Sequence, residues 1–378
     1  MKRKLLSSVI FICVFLSGSF SLNAQERGVA DKRMAAHHYS VVCGTTELPN
    51  SAVLTYPVNE FRVQDYNLLL KLMPCLETED RIIYPSDFEN IEVSDFPGGV
   101  EANFSYKETH ITTRITPLLK GRDSESWDGA VLYEVVSNKP EKDLLVYLGG
   151  GDVINLIWGF QNSVMKNDSL SPLKNLNVLN KTTIRFNGGK ENLGMSIKTS
   201  GEFEAKNNDD MESSVRIRLS GGKGHVLTVF SDNEKQLSKL MEIEPQKEKE
   251  NLNKYYEELL SSKIETPDKK MNEAFTSAIY NLEYSWLQPF GWGECLHHWL
   301  ALWYMQVTAA ADWIGQTDRS RSSILEHGFE QMDNGAIPML NPNHLTLGMK
   351  RRDWGGANNF WIWQIRHYVN YTGDKKFA

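Results

Sequence analysis

The sequence predicts a large antiparallel β-sandwich, followed by a helical linker and a series of paired helices. Three observations predict this order. Short runs of alternating apolar and polar residues recur through residues 30–231. Residues 233–262 are rich in Lys, Glu and Leu at helical spacings, and apolar stripes with a helical period follow from Thr266 onward. A period of two is typical of strands and a period near 3.6 of helices.

The predicted strands are separated by glycine-rich turn signals. Apolar residues alternate with polar neighbours at Val100, Ala102, Phe104 and Tyr106, at Ile111, Thr113 and Ile115, and at Val215, Ile217 and Leu219, with further strands at 130–136 and 144–148. The turn signals are Pro97-Gly98-Gly99, the glycines at 149–151 and the glycine-rich segment 221–224. Many short strands with such joints favour an antiparallel sandwich.

The linker is predicted to contain two helices that Pro245 separates. Its narrow apolar stripe consists of Leu237, Leu240, Leu252, Tyr255, Tyr256, Leu259 and Leu260. Such a stripe is expected to pack against a neighbouring domain. The predicted divisions are therefore a signal peptide at 1–24, the sandwich at 25–232, the linker at 233–263 and the helical domain at 264–378.

Four helices are predicted after the linker. Thr266 is expected to cap the first, with Pro267 at its first position. The predicted buried faces are Met271, Ala274, Phe275, Ala278 and Leu282 on the first helix; Leu296, Leu300, Trp303, Val307, Ala310 and Ile314 on the second, at 296–314; Ile324, Leu325 and Phe329 on the third, which starts near Asp318; and Phe360, Trp361, Ile365, Tyr368 and Val369 on the fourth, at 358–372. Gly373 is placed to end the fourth helix.

The first 24 residues have the order of a secretory signal peptide. Lys2, Arg3 and Lys4 precede a short apolar run, and small and polar residues lead to a cleavage site after Ala24. The apolar run is shorter than the roughly 20 residues that a membrane-spanning helix needs. We therefore predict export to the periplasm or the extracellular space, without stable membrane insertion.

The net charge and the sequence motifs indicate which classes of partner and cofactor are expected. The net charge of −7 and the pI of about 5.8 are unlike a nucleic-acid-binding surface, which needs a basic field. A bridge between Cys43 and Cys75 is possible in an oxidising compartment, but ordinary packing is the simpler interpretation. Glu294 and His297 have the spacing of half a carboxylate-bridged metal site, and no second such pair follows. No cofactor and no metal are predicted, and the oligomeric state stays open.

Eight of the ten tryptophans lie between Trp286 and Trp363, and two of them sit in glycine-rich loops. Trp292 is followed by Gly293-Glu294, and Trp354 lies between Asp353 and Gly355. A sugar site needs flat aromatic rings beside carboxylates. Tryptophans on helical stripes, such as Trp303, are more often core residues. The loop at 333–356 is longer than most loops inside a compact domain, and such loops are often functional.

Glu294 and Asp353 are the candidate catalytic residues. Glycoside hydrolysis usually needs a carboxylic acid and a carboxylate on either side of the scissile bond. Glu294 could instead only charge the first turn of its helix. Asp312 lies late in a helix and is interpreted as structural, and Asp333 is followed by the turn sequence Asn334-Gly335.

Several stretches of the helical part resemble a known superfamily, the six-hairpin glycosidases. The matching stretches are Ile264-Glu265-Thr266-Pro267-Asp268 leading into Met271–Tyr280, then Phe290-Gly291-Trp292-Gly293-Glu294 leading into His298-Trp299, and finally Asn359–Phe377, which contains Tyr371-Thr372-Gly373-Asp374. The resemblance implies an N-terminal β-sandwich and an (α/α)6 barrel. It also implies a carbohydrate substrate, with Trp292, Trp354, His298 and Asn358 as substrate-binding residues.

The predicted helical part is shorter than a complete (α/α)6 barrel. A barrel of twelve helices needs some 350 residues, at about 12–15 residues a helix plus loops, so only the first helices of an incomplete (α/α)6 barrel are expected here. The implied activity is glycoside hydrolysis, with inversion at the anomeric carbon in the full-length form. A non-catalytic carbohydrate-binding protein and an inactive fragment are the alternatives.

Overall fold

The computed structural model describes residues 32–36, 39–43, 59–63, 68–118, 128–150, 173, 175–188, 193–204, 215–284, 286–287, 291–292, 306–338 and 356–377. Its strands are β1 (Lys32–Ala36), β2 (Tyr39–Cys43), β3 (Asn59–Val63), β4 (Leu68–Glu77), β5 (Ile82–Ile83), β6 (Glu89–Phe96), β7 (Gly99–Tyr106), β8 (Thr109–Pro117), β9 (Gly129–Ser137), β10 (Leu144–Gly150), β11 (Asn177–Asn180), β12 (Thr183–Gly188), β13 (Leu193–Thr199), β14 (Glu202–Glu204), β15 (Val215–Leu219), β16 (Lys223–Ser231), β17 (Trp286–Leu287) and β18 (Gly291–Trp292).

The described helices follow the last strand of the sandwich. They are α1 (Glu234–Leu240), α2 (Pro245–Leu259), α3 (Lys269–Tyr284), α4 (Val307–Trp313), α5 (Thr317–Phe329) and α6 (Ala357–Thr372). The predicted fold class is confirmed: two antiparallel β-sheets are followed by helices. Pro245 is the first residue of α2, as expected for a residue that separates two helices.

Two eight-stranded antiparallel sheets form the sandwich. The first has the order β1-β2-β3-β4-β10-β15-β14, with β5 also paired to β4, and the second has the order β11-β12-β13-β16-β9-β8-β7-β6. Their inner faces share one core, to which Leu72 and Val146 contribute from the first sheet and Val100 and Val131 from the second. The apolar residues predicted to alternate on β7 and β8 do point into this core.

One turn prediction in the sandwich is wrong. Gly149 and Gly150 do not form a turn but continue β10, where they pair with Lys71 and Leu70 of β4. The run 144–148 is buried at every position rather than at alternate ones. Leu145 and Tyr147 pack with Met73 and Cys75 in a second cluster on the other face of the sheet, so both faces of β10 are covered.

The two linker helices lie against the sandwich. Leu237 and Leu240 of α1 pack on the second sheet with Leu132 and Leu227. In α2, Tyr256 is buried and belongs to the main core of the sandwich. The predicted stripe is thus the contact face of the linker, and the helices extend the hydrophobic core beyond the sheets.

The later helices differ in detail from the prediction. Asp268, rather than Thr266, caps α3: its Oδ1 accepts hydrogen bonds from the N–H groups of Lys270 and Met271, at 3.0 and 3.3 Å. The second predicted helix, 296–314, is described only in its last part as α4, and its N-terminal portion lies outside the described residues. Gly373 ends α6 in a left-handed conformation with φ of 75°, as predicted.

The predicted buried faces of α3, α4 and α5 are wrong at several positions. On α4 the buried residues are Thr308, Ala309, Ala311 and Asp312, whereas the predicted Val307, Ala310 and Ile314 are only partly buried. On α3 the residues predicted to be inside include Met271, which is 53% exposed, whereas Ile279 and Glu283 are buried. On α5 Phe329 is 76% exposed, and the buried side is formed by Ser320, Ser323, Ile324 and His327. Polar side chains occupy the inner faces because other helices supply partners to several of them, which periodicity alone does not reveal.

Candidate functional site

Two of the six predicted site residues lie in the described part of the chain. They are Trp292 and Asn358. Glu294, His298, Asp353 and Trp354 lie outside the described residues. Trp292 immediately precedes the segment that contains Glu294, and Asn358 follows the segment that contains Asp353. Their surroundings therefore describe the points at which the chain enters and leaves the two predicted loops.

Trp292 is enclosed at the end of a two-stranded hairpin. The hairpin pairs Trp286 with Trp292, and the two indole rings lie 4.7 Å apart between centroids. The indole N–H of Trp292 donates a 3.0 Å hydrogen bond to the carbonyl oxygen of Leu282, and the side chain is only 2% exposed. These contacts anchor the start of the predicted loop on the C-terminal end of α3.

Asn358 links the first turn of α6 to the beginning of the other predicted loop. Its Oδ1 accepts a 2.7 Å hydrogen bond from the N–H of Ile337, and its Nδ2 donates a 3.0 Å bond to the carbonyl oxygen of Gly335. Gly335 has a φ of 83°, which glycine adopts without strain, so the predicted turn after Asp333 is present. The Asn358 side chain therefore connects the two segments that flank residues 339–355.

A buried ion pair connects the linker, α3 and α5. Arg319 donates a 2.6 Å hydrogen bond from Nη1 to Oε2 of Glu283, whose side chain is 1% exposed, and a 3.1 Å bond from Nη2 to the Tyr255 hydroxyl. The Arg319 guanidinium also lies over the Trp286 ring, at 5.1 Å from its centroid. Burial lowers the pKa of Arg319, but the Glu283 carboxylate outweighs it and raises that pKa above its ordinary value.

A carboxylate–imidazole pair lies between α4 and α6. Asp312 is completely buried, and its Oδ2 is 2.9 Å from Nδ1 of His367, whose side chain is 21% exposed. Three half-exposed aromatic rings surround the imidazole: Trp363 at 5.4 Å, Trp313 at 6.0 Å and Tyr371 at 6.4 Å between centroids. Asp312 was expected to be structural, and nothing in the sequence singled out His367, because the pair is made only when α4 and α6 pack.

Several polar side chains are buried among the helices α4, α5 and α6. His327 is 2% exposed, and its Nδ1 lies 2.6 Å from the carbonyl oxygen of Ser323. Burial lowers the pKa of His327 to about 4, against a smaller rise from the hydrogen bond with Ser323. Gln364 is fully buried, and among the described residues neither atom of its side-chain amide has a hydrogen-bond partner.

The described residues contain neither a metal-binding cluster nor a membrane-spanning helix. Within the described ranges, no three or more His, Cys, Asp or Glu side chains cluster so as to hold a metal ion. In the same part of the chain, no helix combines the length and the apolar character that are needed to cross a membrane.

Comparisons with known proteins show likeness in structure only. A bacterial glucoamylase complexed with acarbose superposes with a TM-score of 0.52 at 10% sequence identity, over 82% of this chain and 51% of the glucoamylase. A putative kojibiose phosphorylase from the human microbiome superposes with a TM-score of 0.53 at 12% identity, over 91% of this chain and 54% of the phosphorylase. No family model matches the sequence, and no curated protein matches it.

These comparisons show that the fold, a β-sandwich followed by helices, is shared with both carbohydrate-active enzymes. The chain spans about half the length of each structure that it matches. At identities of 10% and 12%, the likeness concerns the arrangement of the elements and carries no residue-level correspondence.

Proposed function

We propose that this chain belongs to an exported glycoside hydrolase that acts on an oligosaccharide or polysaccharide. The observation that carries the proposal is the fold, which two carbohydrate-active enzymes share over 82% and 91% of this chain. The segments 293–305 and 339–355 add carboxylates and tryptophans, the residue types that a sugar site needs. Because a fold alone does not determine function, these residue types are the second ground for the proposal.

Glu294 and Asp353 are the proposed catalytic pair. In an inverting enzyme, one carboxylic acid protonates the leaving oxygen while a carboxylate activates a water on the opposite face of the sugar. The two groups then stand about 6.5–9.5 Å apart, which leaves room for that water. Trp354 and His298 are proposed to contact the sugar directly. Trp292 and Asn358 are proposed to shape the same site through the loop ends that they hold.

The test uses the longest form of the protein that the source DNA encodes. Glu294→Gln and Asp353→Asn keep the size of each side chain and remove its acid–base function. Each is expected to lower kcat on aryl glycosides by roughly a hundredfold or more. Glu265→Gln is the matched control, because Glu265 is exposed and its described ion pair is with Lys263. Rates unchanged in Glu294→Gln would remove Glu294 from the site, and the anomeric form of the first product reports inversion or retention.

Phosphorolysis is a second candidate, favoured by the likeness to a putative kojibiose phosphorylase. In that reaction a phosphate oxygen bonds to the anomeric carbon, the glycosidic C–O bond breaks, and a carboxylic acid gives its proton to the leaving oxygen. Adding inorganic phosphate would then yield a sugar 1-phosphate instead of free sugar. Product analysis with and without phosphate separates the two reactions. Binding of the protein to a glycan without formation of any product would indicate the non-catalytic binding protein.

A further inference from the structure

The guanidinium of Arg319 lies on the face of the Trp286 ring, with its Cζ 5.1 Å from the ring centroid. A guanidinium within about 6 Å of an indole face is attracted by the ring, and more strongly where both groups are withdrawn from water. Trp286 is only 6% exposed. Its indole N–H has no hydrogen-bond partner among the described residues, so ring contacts rather than a polar bond set the orientation of this side chain.

Three hydrogen bonds fix the position of the Arg319 guanidinium. Nη1 donates to the carboxylate of Glu283 at 2.6 Å and to Oε1 of Gln316 at 3.4 Å, and Nη2 donates to the Tyr255 hydroxyl at 3.1 Å. A planar guanidinium that makes several directed hydrogen bonds has little freedom to move over the ring. Trp286 therefore packs against a flat group whose place is determined by residues of α2, α3 and α5.

Trp286 connects Arg319 to Trp292. The two tryptophans pair across the hairpin of β17 and β18, and their rings lie 4.7 Å apart between centroids. The helix α5, which carries Arg319, also packs against β18. The chain leaves β18 at Trp292, and Glu294 follows two residues later. The point at which the chain enters the segment 293–305 therefore depends on the place of these two rings.

We propose that Arg319 is a positioning residue for the hydrolytic site. It fixes Trp286, and through the pair of Trp286 and Trp292 it fixes the point from which the chain continues to Glu294. This inference rests on the proposed function for the role of Glu294, and it assigns no contact between Arg319 and the sugar. Because a displacement of about 1 Å at a catalytic group can cost on the order of a hundredfold in rate, a contact so near Glu294 in the chain is sufficient to affect turnover.

The test replaces Arg319 by lysine in the longest form of the protein that the source DNA encodes. Lysine keeps the positive charge beside Glu283 but has no flat face for the Trp286 ring. We expect Arg319→Lys to lower kcat on aryl glycosides roughly tenfold or more and to leave KM within about twofold of the wild-type value. Adding Arg319→Lys to Glu294→Gln should lower the remaining rate by less than about twofold, because the group that Arg319 positions is already gone.

Arg321→Lys is the matched control, because Arg321 lies on the same helix and places its guanidinium 5.0 Å from the centroid of the Phe377 ring, which is not part of the hairpin. Its kcat is expected to equal that of the wild type. Tyr255→Phe removes one hydrogen bond to the guanidinium and is expected to lower kcat severalfold, and it decides in place of Arg319→Lys if the lysine variant does not fold. An unchanged kcat, a loss that Arg321→Lys shares, or a loss that persists in full in the Glu294→Gln background would overturn the proposal.

Hydrogen exchange keeps this inference separate from the proposed hydrolase. Measured by mass spectrometry on a peptide that covers residues 286–292, exchange is expected to be faster in Arg319→Lys than in the wild type and unchanged in Arg321→Lys. Faster exchange in a protein that hydrolyses none of the glycosides would support the role of Arg319 in holding the hairpin and contradict the hydrolase. Hydrolysis that depends on Glu294, with exchange and kcat in Arg319→Lys equal to those of the wild type, would support the hydrolase and overturn this inference.

Discussion

Arg319 of α5 donates a 2.6 Å hydrogen bond to the carboxylate of Glu283 on α3. The side chain of Glu283 is only 1% exposed. The same guanidinium reaches the Tyr255 hydroxyl on α2. One charged side chain thus connects the linker to two later helices. The helices hold their relative positions through a polar contact as well as through apolar packing.

Removing one member of this pair should destabilise the protein strongly. Glu283→Ala leaves the Arg319 charge buried without its carboxylate, and we expect the free energy of unfolding to fall by about 3–5 kcal/mol. Urea unfolding followed by tryptophan fluorescence measures it. Glu202→Ala is the control, because the Lys181–Glu202 pair is 78% and 61% exposed and should contribute less than about 1 kcal/mol. Equal losses in the two variants would contradict a special role for the buried pair.

The turn between β6 and β7 should tolerate no side chain at Gly98. Its φ is +85°, and an added Cβ would lie 2.6 Å from the Tyr256 ring and 2.8 Å from Leu252, both on α2. Gly98→Ala therefore combines backbone strain with a clash that pushes the linker helix away from the sandwich. We expect a loss of roughly 2–4 kcal/mol in the free energy of unfolding.

Gly221→Ala is the matched control for the Gly98 substitution. Gly221 has a similar φ of +74°, but nothing lies within 4 Å of the added Cβ. Only the backbone cost, about 1 kcal/mol, should appear. The difference between the two alanine variants in urea unfolding isolates the contact between the turn and α2, and no difference would exclude that contact.

His327 should make the protein less stable as the pH falls. Its pKa is about 4 in the folded state, below the value of about 6.5 expected after unfolding, so the unfolded chain binds the extra proton between these two values. The stabilising preference for neutral His327 is complete above about pH 6.5 and is lost as the pH falls towards 4.

The variant His327→Gln removes this titration. Between pH 7.5 and pH 5, the wild type should lose roughly 2 kcal/mol more stability than the variant does. Urea unfolding at several pH values measures the difference, and other titrating groups cancel because they are common to both proteins. Parallel pH profiles for the two proteins would show that His327 is not the titrating group.

Asn358 should matter for stability and for the loop that it holds. Asn358→Ala removes two hydrogen bonds to the backbone of Gly335 and Ile337, and we expect a loss of about 1–3 kcal/mol. Asn359→Ala is the control, because the neighbouring side chain is exposed and should change the free energy of unfolding by less than about 0.5 kcal/mol. In the proposed hydrolase, Asn358→Ala should also lower kcat/KM, and an unchanged value would separate this contact from the site.

The alternation of residues on β7 and β8 predicted the buried faces well, because one face of each strand meets the core of the sandwich. The same reasoning failed at Gly149 and Gly150, where a strand partner outweighs the turn preference of glycine. The stripes of α3 and α5 predicted Met271 and Phe329 inside, and both are exposed. Apolar periodicity identifies a helix, but it does not choose among faces when partners compensate buried polar groups.

The candidate site also contains residues that the sequence predicted and residues that it did not. Loop composition pointed to Glu294, Asp353 and Trp354, which stay predictions because they lie outside the described residues. Trp292 was predicted to contact a sugar, and in the described structure it contacts Trp286 and the backbone of α3. The Asp312–His367 pair could not be predicted, because its members are 55 residues apart in the chain.

By itself, the sequence determined that strands precede helices, and it determined helix boundaries at Pro245 and Gly373. These depend on local preferences: alternation, capping, and the restrictions that Pro245 and Gly373 place on the backbone. Only the tertiary structure decided which side chains of α3–α6 are inside. Burying Glu283 or Asp312 becomes acceptable only when another helix supplies Arg319 or His367, and that compensation exists only once distant segments meet.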